Sequence, residues 1–278
     1  MEVSKLTGKG IGVAVLDTGI YPHIDFDGRI TGFRDFLQGK KQPYDDNGHG
    51  THVAGIIGGN GKASQGRYCG IAPGCSLVSL KILDKRGNGN MKDVVKALRW
   101  LKMNGKQLGI RIVNISVGTV GKGDRNSALL IQGVEELWDE GFIVVTAAGN
   151  MGPEPGSITA PGSSRKVITV GSSDLLDPTA GISGRGPTKE CVCKPDIVTP
   201  GLGIVACSPG IPYGYAVKSG TSMSTPRVSG AIALMLEKDP FLTNVEIKML
   251  LKEAARDLGY ERNRQGWGEL DMEAFLKL

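Results

Sequence analysis

The stretch Gly10-Ile11-Gly12-Val13-Ala14-Val15-Leu16-Asp17-Thr18-Gly19 runs through six small or apolar residues, 11–16, and stops at an acid and a glycine turn. An apolar run without polar alternation suits a strand buried on both faces. Similar runs recur at 77–83, 110–115, 142–147 and 167–170, with helix-like stretches between several of them. Residues 90–103 place Val94, Val95, Leu98 and Leu101 on one face with lysines opposite, and 127–138 repeat the amphipathic period. This rhythm predicts an α/β fold with a mostly parallel central sheet and helices on both faces. Closing helices are expected over 222–236 and 244–255. No linker, internal repeat or low-complexity tract interrupts the chain, so a single domain over 1–278 is expected.

Composition narrows the function classes. Glycine is in excess, 42 of 278 residues against a usual share of roughly 7%, which predicts many tight loops. The formal net charge is only +5 and the basic residues are scattered among acids, so no nucleic-acid partner is expected. No apolar stretch reaches eighteen residues and residues 1–9 are polar, so neither a membrane span nor a signal peptide is read. The cysteines, Cys69, Cys75, Cys191, Cys193 and Cys207, are odd in number. That count predicts free thiols and a cytoplasmic location, the alternative being a secreted enzyme whose signal and propeptide are absent from the chain. The Cys191/Cys193 spacing matches no zinc pattern, and no metal ligands are assigned.

In a parallel sheet, reactive groups gather beyond the carboxyl ends of the strands and at helix starts. Asp17 stands at such an end, although an acid before a glycine turn is also a common turn device. His49 lies in Asn47-Gly48-His49-Gly50-Thr51-His52-Val53-Ala54-Gly55. Its small neighbours leave an imidazole approachable for general-base work near neutral pH. A zinc pair of His49 with His52 fits less well, because the metalloprotease spacing around a glutamate is missing and only His23 remains as a third histidine. His52 is read as a packed helix residue. Ser222, in Ser219-Gly220-Thr221-Ser222-Met223-Ser224-Thr225-Pro226, heads a small-residue helix, where a free amide and the dipole favour a developing anion. Asn150 ends Ala147-Ala148-Gly149-Asn150 after an apolar strand, a rigid mount for an amide donor.

Together, the Asp-Thr-Gly, His-Gly-Thr-His-Val-Ala-Gly and Gly-Thr-Ser-Met-x-x-Pro blocks resemble the subtilisin family closely, and they stand in its Asp, His, Ser order. An α/β-hydrolase is excluded, because no histidine follows the serine. The resemblance implies a three-layer subtilisin-like fold and a serine endopeptidase needing no cofactor. It implies Ser222 as nucleophile, His49 as base and then acid, Asp17 as the group orienting His49, and Asn150 as oxyanion donor. It also implies that a protein or peptide substrate lies as an extended strand between residues 85–89, where Gly87, Asn88 and Gly89 would bind it, and residues 116–118. Ser116, Val117, Gly118, Ala148 and Gly149 would wall the pocket for the residue before the cut, with Thr159 near its base. That pocket holds no acid, so apolar residues are expected there.

The chain departs from the family in places. Ser224 stands where the family usually has alanine, and Arg227 where it has histidine. The loop 58–68, which binds structural calcium in many relatives, carries Lys62 and Arg67 and no carboxylate, which disfavours calcium there. Asp25 remains available to another site. A propeptide or inhibitor is a further expected partner, although nothing before Gly10 reads as a propeptide. The same site chemistry would serve an esterase, and a scaffold without activity would be expected to have lost a triad residue.

Overall fold

The computed structural model describes residues 6–118, 124–210 and 213–278. In chain order the first half comprises β1 (Gly12–Asp17), β2 (Ile30–Asp35), α1 (His49–Gly58), β3 (Ser76–Lys81), α2 (Met91–Asn104) and β4 (Ile110–Ile115). Then follow α3 (Asp124–Asp139), β5 (Ile143–Ala147), β6 (Ile168–Ser172), β7 (Ile197–Thr199), β8 (Ile204–Ser208) and β9 (Gly214–Lys218). The chain closes with α4 (Thr221–Lys238), α5 (Asn244–Glu253), β10 (Ala255–Arg256) and β11 (Glu269–Leu270), besides short helical turns. Backbone contacts group these into two compact units. The first comprises Met1–Asn114, Val205–Val217 and Ser229–Phe241; the second comprises Ile115–Ile204, Lys218–Val228 and Leu242–Leu278.

In the first unit the strands run in the order β2-β3-β1-β4, and β3 is parallel to both β1 and β2. All six residues of β1 are buried, as its unbroken apolar run requires. Its last residue, Asp17, pairs with Lys81 at the end of β3, so the strand ends carry charge while the strand bodies carry the core. In α2 the buried stripe is Asp93, Ala97, Leu98 and Leu101, and the expected Val94 and Val95 are only half-buried. The helix is rotated toward the small Ala97. Asp93 can lie in that stripe because Asn90, the helix cap, donates to its carboxylate at 2.7 Å and Lys96 lies 2.9 Å away.

In the second unit β5, β6 and β7 are parallel, β11 adds parallel to β7, and β10 closes the edge antiparallel to β11. The residues of β5, β6 and β7 are all buried. α5 starts at a reciprocal cap: Thr243 Oγ1 accepts the Glu246 amide, and Glu246 accepts the Thr243 amide at 2.8 Å. The helix stops at Glu253, short of the expected 255, because Ala255 pairs with Leu270 as a strand. The α/β expectation holds, with mostly parallel strands alternating with helices. All five cysteines are unpaired, with Cys75 and Cys207 buried. Among the described residues no helix is long and apolar enough to cross a membrane.

Candidate active site

Asp17 is fully buried at the carboxyl end of β1, and both its oxygens face one imidazole nitrogen. His49 Nδ1 lies 2.8 Å from Oδ1 and 2.9 Å from Oδ2. An ionised carboxylate only accepts hydrogen bonds, so Nδ1 carries the proton and Nε2 keeps its lone pair. The Thr18 amide donates to Asp17 Oδ1 at 2.7 Å and further fixes the carboxylate. The imidazole side chain is 24% exposed, enough to meet a second reactant.

Local sequence explains why the histidine is held there. His49 is the first residue of α1, after Gly48 in the left-handed conformation (φ 94°). Asp45 acts as the hub of the approach. Its Oδ1 accepts Thr18 Oγ1 at 2.9 Å, the Asn47 amide at 3.1 Å and the Gly48 amide at 2.8 Å, while Oδ2 accepts the Thr51 amide at 2.9 Å and Thr51 Oγ1 at 2.6 Å. Burial pushes the Asp45 carboxyl up, but the Thr51 hydroxyl and these amides outweigh it and hold it below the ordinary aspartate range. Thr18 Oγ1 in turn accepts the Gly50 amide at 2.9 Å. The buried Lys81 ammonium donates to the Thr18 and Leu83 carbonyls and lies 2.7 Å from Asp46 Oδ1, tying down the backbone that follows Asp17.

The glycines beside His49 have a reason other than the expected clearance for substrate. A Cβ on Gly50 would stand 2.2 Å from the Gly19 carbonyl oxygen and 3.1 Å from Asp17 Cβ. Gly50 is small so that α1 can close onto the Asp17 turn. His52 is fully buried, and its Nε2 lies 3.0 Å from the Ala216 carbonyl, the packed role expected for it.

The second unit holds the serine and the asparagine. α4 starts at Thr221, so Ser222 is its second residue and not its head. The serine hydroxyl donates to the Ser116 carbonyl at 2.7 Å. Asn150, three residues past β5, accepts both the Thr221 amide (3.0 Å) and the Thr221 hydroxyl (3.1 Å) on Oδ1. With the oxygen so held, Nδ2 is the free end of the carboxamide and the one able to donate. Gly220, at φ 132°, admits this approach, since a Cβ there would stand 3.2 Å from Asn150 Nδ2.

The departures around the serine are accommodated. The fully buried Ser224 donates to the Thr199 carbonyl at 2.9 Å, and Thr199 Oγ1 donates back to the Ser224 carbonyl at 3.1 Å, so the additional hydroxyl is satisfied. Arg227 is half-buried. Burial pulls its guanidinium below the ordinary range, while the charge of Asp174 opposes that shift.

Four of the predicted pocket residues of this unit, Gly118, Ala148, Gly149 and Thr159, lie together. Thr159 Oγ1 abuts both glycines, since a Cβ would fall 2.3 Å from it at Gly118 and 2.4 Å at Gly149. The Thr159 amide donates to the Ala148 carbonyl at 3.0 Å, and Ala148 is fully buried. Residues 85–89 are exposed and form part of a tight turn. Asp84 Oδ1 accepts the Arg86 and Asn88 amides at 2.8 and 2.9 Å, and the Gly87 amide reaches the Asp84 carbonyl. Thr221 and Asp45 were missed as positioning residues. Asp45 carried a readable signal, an acid just before a helix start; the grip of Thr221 on a residue 71 positions away did not.

A family model described as the subtilase family matches residues 8–268. Serine protease AprX of Bacillus subtilis (strain 168) is 42% identical, the match covering 89% of this chain and 61% of that protein. Subtilisin Savinase of Lederbergia lenta is 38% identical, with 97% of this chain and 91% of that protein covered. Among solved structures, S41 Psychrophilic Protease superposes with a TM-score of 0.82 at 30% identity, covering 95% of this chain and 91% of that one. Sphericase follows at a TM-score of 0.79 and 29% identity, covering 95% and 92%.

Proposed function

The chain belongs to the subtilase family, and from that premise we propose that it is a serine endopeptidase acting through an acyl-enzyme. The observation that carries the reading is the paired contact of Asp17 with His49 Nδ1, which leaves Nε2 as the base. In the reaction Ser222 Oγ attacks the scissile carbonyl carbon while its proton passes to His49 Nε2. Asp17 stabilises the imidazolium that results. The carbonyl oxygen becomes an anion that Asn150 Nδ2 and the Ser222 amide receive. Collapse expels the amine, which takes the proton back from His49. A water molecule then repeats the sequence on the ester, His49 accepting its proton, and regenerates the Ser222 hydroxyl.

Substrate is taken as an extended peptide, with residues 116–118 and residues 85–89 as the segments that bind it. The glycine-walled pocket at Thr159 favours an apolar residue before the cut, because no acid is among the residues assigned to it. No metal or cofactor enters these steps. The relatives give a cytoplasmic location no support and fit the secreted alternative, which five unpaired thiols do not exclude.

The test is a serine-directed fluorophosphonate followed by digestion and mass spectrometry, beside turnover of a peptide library. A single adduct on Ser222, lost in Ser222→Ala together with peptide hydrolysis, is the expected result. An unmodified Ser222 in folded protein would leave a binding scaffold as the reading. Turnover of esters without peptides would make the chain an esterase.

A further inference from the structure

The proposed reaction leaves unused a buried trio in the first unit: His23, Asp25 and Cys207. His23 and Asp25 sit at the short helical turn Ile24–Phe26, and Cys207 lies on β8. The His23 and Asp25 side chains are fully buried, and Cys207 is 1% exposed. His23 Nδ1 lies 3.8 Å from Asp25 Oδ1, Cys207 Sγ lies 3.6 Å from Asp25 Oδ2, and one donor atom of each residue falls within 4.8 Å of the others. We propose that these three side chains form a structural site for a borderline-soft divalent cation of the zinc class.

The donor set decides the class of ion. Imidazole nitrogen, thiolate sulfur and carboxylate oxygen together suit zinc, whereas calcium and magnesium take oxygen throughout. Tetrahedral bonds of about 2.0 to 2.3 Å place neighbouring ligand atoms roughly 3.3 to 3.7 Å apart. The separations of 3.8 and 3.6 Å that end on the two Asp25 oxygens are close to that range, and all three donors lie within 4.8 Å, so side-chain shifts of about 1 Å gather them round one ion with water as the fourth ligand. The carboxylate is already oriented: Tyr215 donates its hydroxyl to Oδ2 at 2.7 Å and the Ala63 amide donates to Oδ1 at 2.8 Å. The Tyr215 ring also stands edge-on to His23, with centroids 5.5 Å apart.

Binding exchanges known groups. Cys207 gives up its S–H proton to solvent as the S–metal bond forms, and His23 Nδ1 gives up the Asp25 amide that it accepts at 3.1 Å. The charge of the ion is then matched by one thiolate and one carboxylate. Arg29, whose guanidinium donates to the Asp25, Gly58 and Cys75 carbonyls, keeps its own acceptors. Cys207 Sγ itself packs against α1 and its cap, 3.1 Å and 3.3 Å from where side chains on Gly55 and Gly59 would start.

The test uses the whole chain, treated with a fluorophosphonate against self-digestion, stripped with a chelator and titrated with Co²⁺ as a spectroscopic probe. Expected are a thiolate-to-cobalt band in the near ultraviolet that saturates at one equivalent, its displacement by Zn²⁺, and a higher Tm with either ion. Cys207→Ser and His23→Gln abolish the band, whereas Cys191→Ser and Cys193→Ser keep it. On the unaltered chain, one equivalent of Zn²⁺ shields Cys207 from alkylation under mild denaturation, read by mass spectrometry, so the result does not depend on any variant folding. The proposal is overturned if no band forms, if the band survives Cys207→Ser or disappears with Cys191→Ser or Cys193→Ser, or if Zn²⁺ leaves the alkylation rate of Cys207 unchanged.

Discussion

Thr221 grips Asn150 by its carboxamide oxygen through two donors, one from the main chain and one from the side chain, at 3.0 and 3.1 Å. The grip sets which end of the amide is presented to a substrate. It also joins the residue before the serine to the proposed oxyanion donor, so the two are placed as one piece.

Loss of the hydroxyl should therefore be felt in the chemical step. Thr221→Val keeps the amide contact and removes one neutral hydrogen bond of about 1 kcal/mol, so kcat should fall about fivefold. KM should barely move, because the contact matters only once the oxyanion forms. Asn150→Ala should lower kcat by about 10² to 10³, a magnitude carried over from the corresponding loss in a subtilisin. Steady-state kinetics and a thermal melt on one preparation separate the readings. A preserved kcat with a lowered Tm would assign Asn150 to loop stability alone.

Asp17→Asn tests the other unit. The amide can offer His49 Nδ1 a donor instead of an acceptor, which favours the wrong tautomer, and kcat should fall by about 10⁴ with the fold retained. Fluorophosphonate labelling of Ser222 should slow in parallel. Activity within tenfold of the parent would mean that His49 is not the base.

Asp45→Asn leaves one accepting oxygen for Thr18 Oγ1 and the Asn47 and Gly48 amides and sets an NH2 group against the Thr51 amide and hydroxyl, so two of the five hydrogen bonds to this buried side chain are lost. Unsatisfied buried donors cost about 1 to 3 kcal/mol each, so the inhibited protein should lose about 2 kcal/mol or more at pH 7. The folded carboxyl lies below its ordinary range, so on acidification the unfolded chain takes up the proton first. The stabilisation is fully present above the unfolded value of about 3.9 and is lost as pH falls through the folded one. Denaturant midpoints should therefore differ most between parent and variant above about pH 5 and converge below about pH 4. A gap that stays constant down to pH 2 would show that the ionised carboxylate is not the source.

Gly118→Ala tests the pocket. The new methyl would meet Thr159 Oγ1 and narrow the space, so kcat/KM for peptides with a large apolar residue before the cut should fall about 10- to 100-fold relative to alanine there. Library cleavage before and after the change is the measurement. An unaltered preference would put the pocket elsewhere, and a dominant basic preference in the parent would refute the apolar reading.

What could be read in the sequence follows from physics at two ranges. β1, β4 and β5 were legible because a strand buried on both faces must be apolar throughout, which leaves an unbroken run. The contact of Asp17 with His49 was legible through the blocks that carry them. The turn of α2 was not, because Ala97 and a capped Asp93 can replace two valines on the buried side, and hydrophobicity alone does not rank them. Nor was the service of Thr221 to Asn150 or of Asp45 to α1, since each depends on which loops the fold lays side by side. Gly50 was legible as a glycine, but its closure onto the Gly19 carbonyl was not, since that too depends on which loops meet.

Gly50 also bears on how this protein could be altered by directed evolution. A library randomised around His49 will look sharply bimodal at position 50, with nearly every replacement lost before any selection on substrate, because the Gly19 carbonyl occupies the volume that a side chain would need. Screening effort is better placed at Gly87, where a Cβ has only the Asn47 amide nitrogen at 3.9 Å as a neighbour, although its φ of 78° restricts the useful replacements to asparagine and aspartate. A glycine in the first turn of α1 and one in a loop thus differ in how much diversity they can hold, the first limited by volume and the second by backbone conformation.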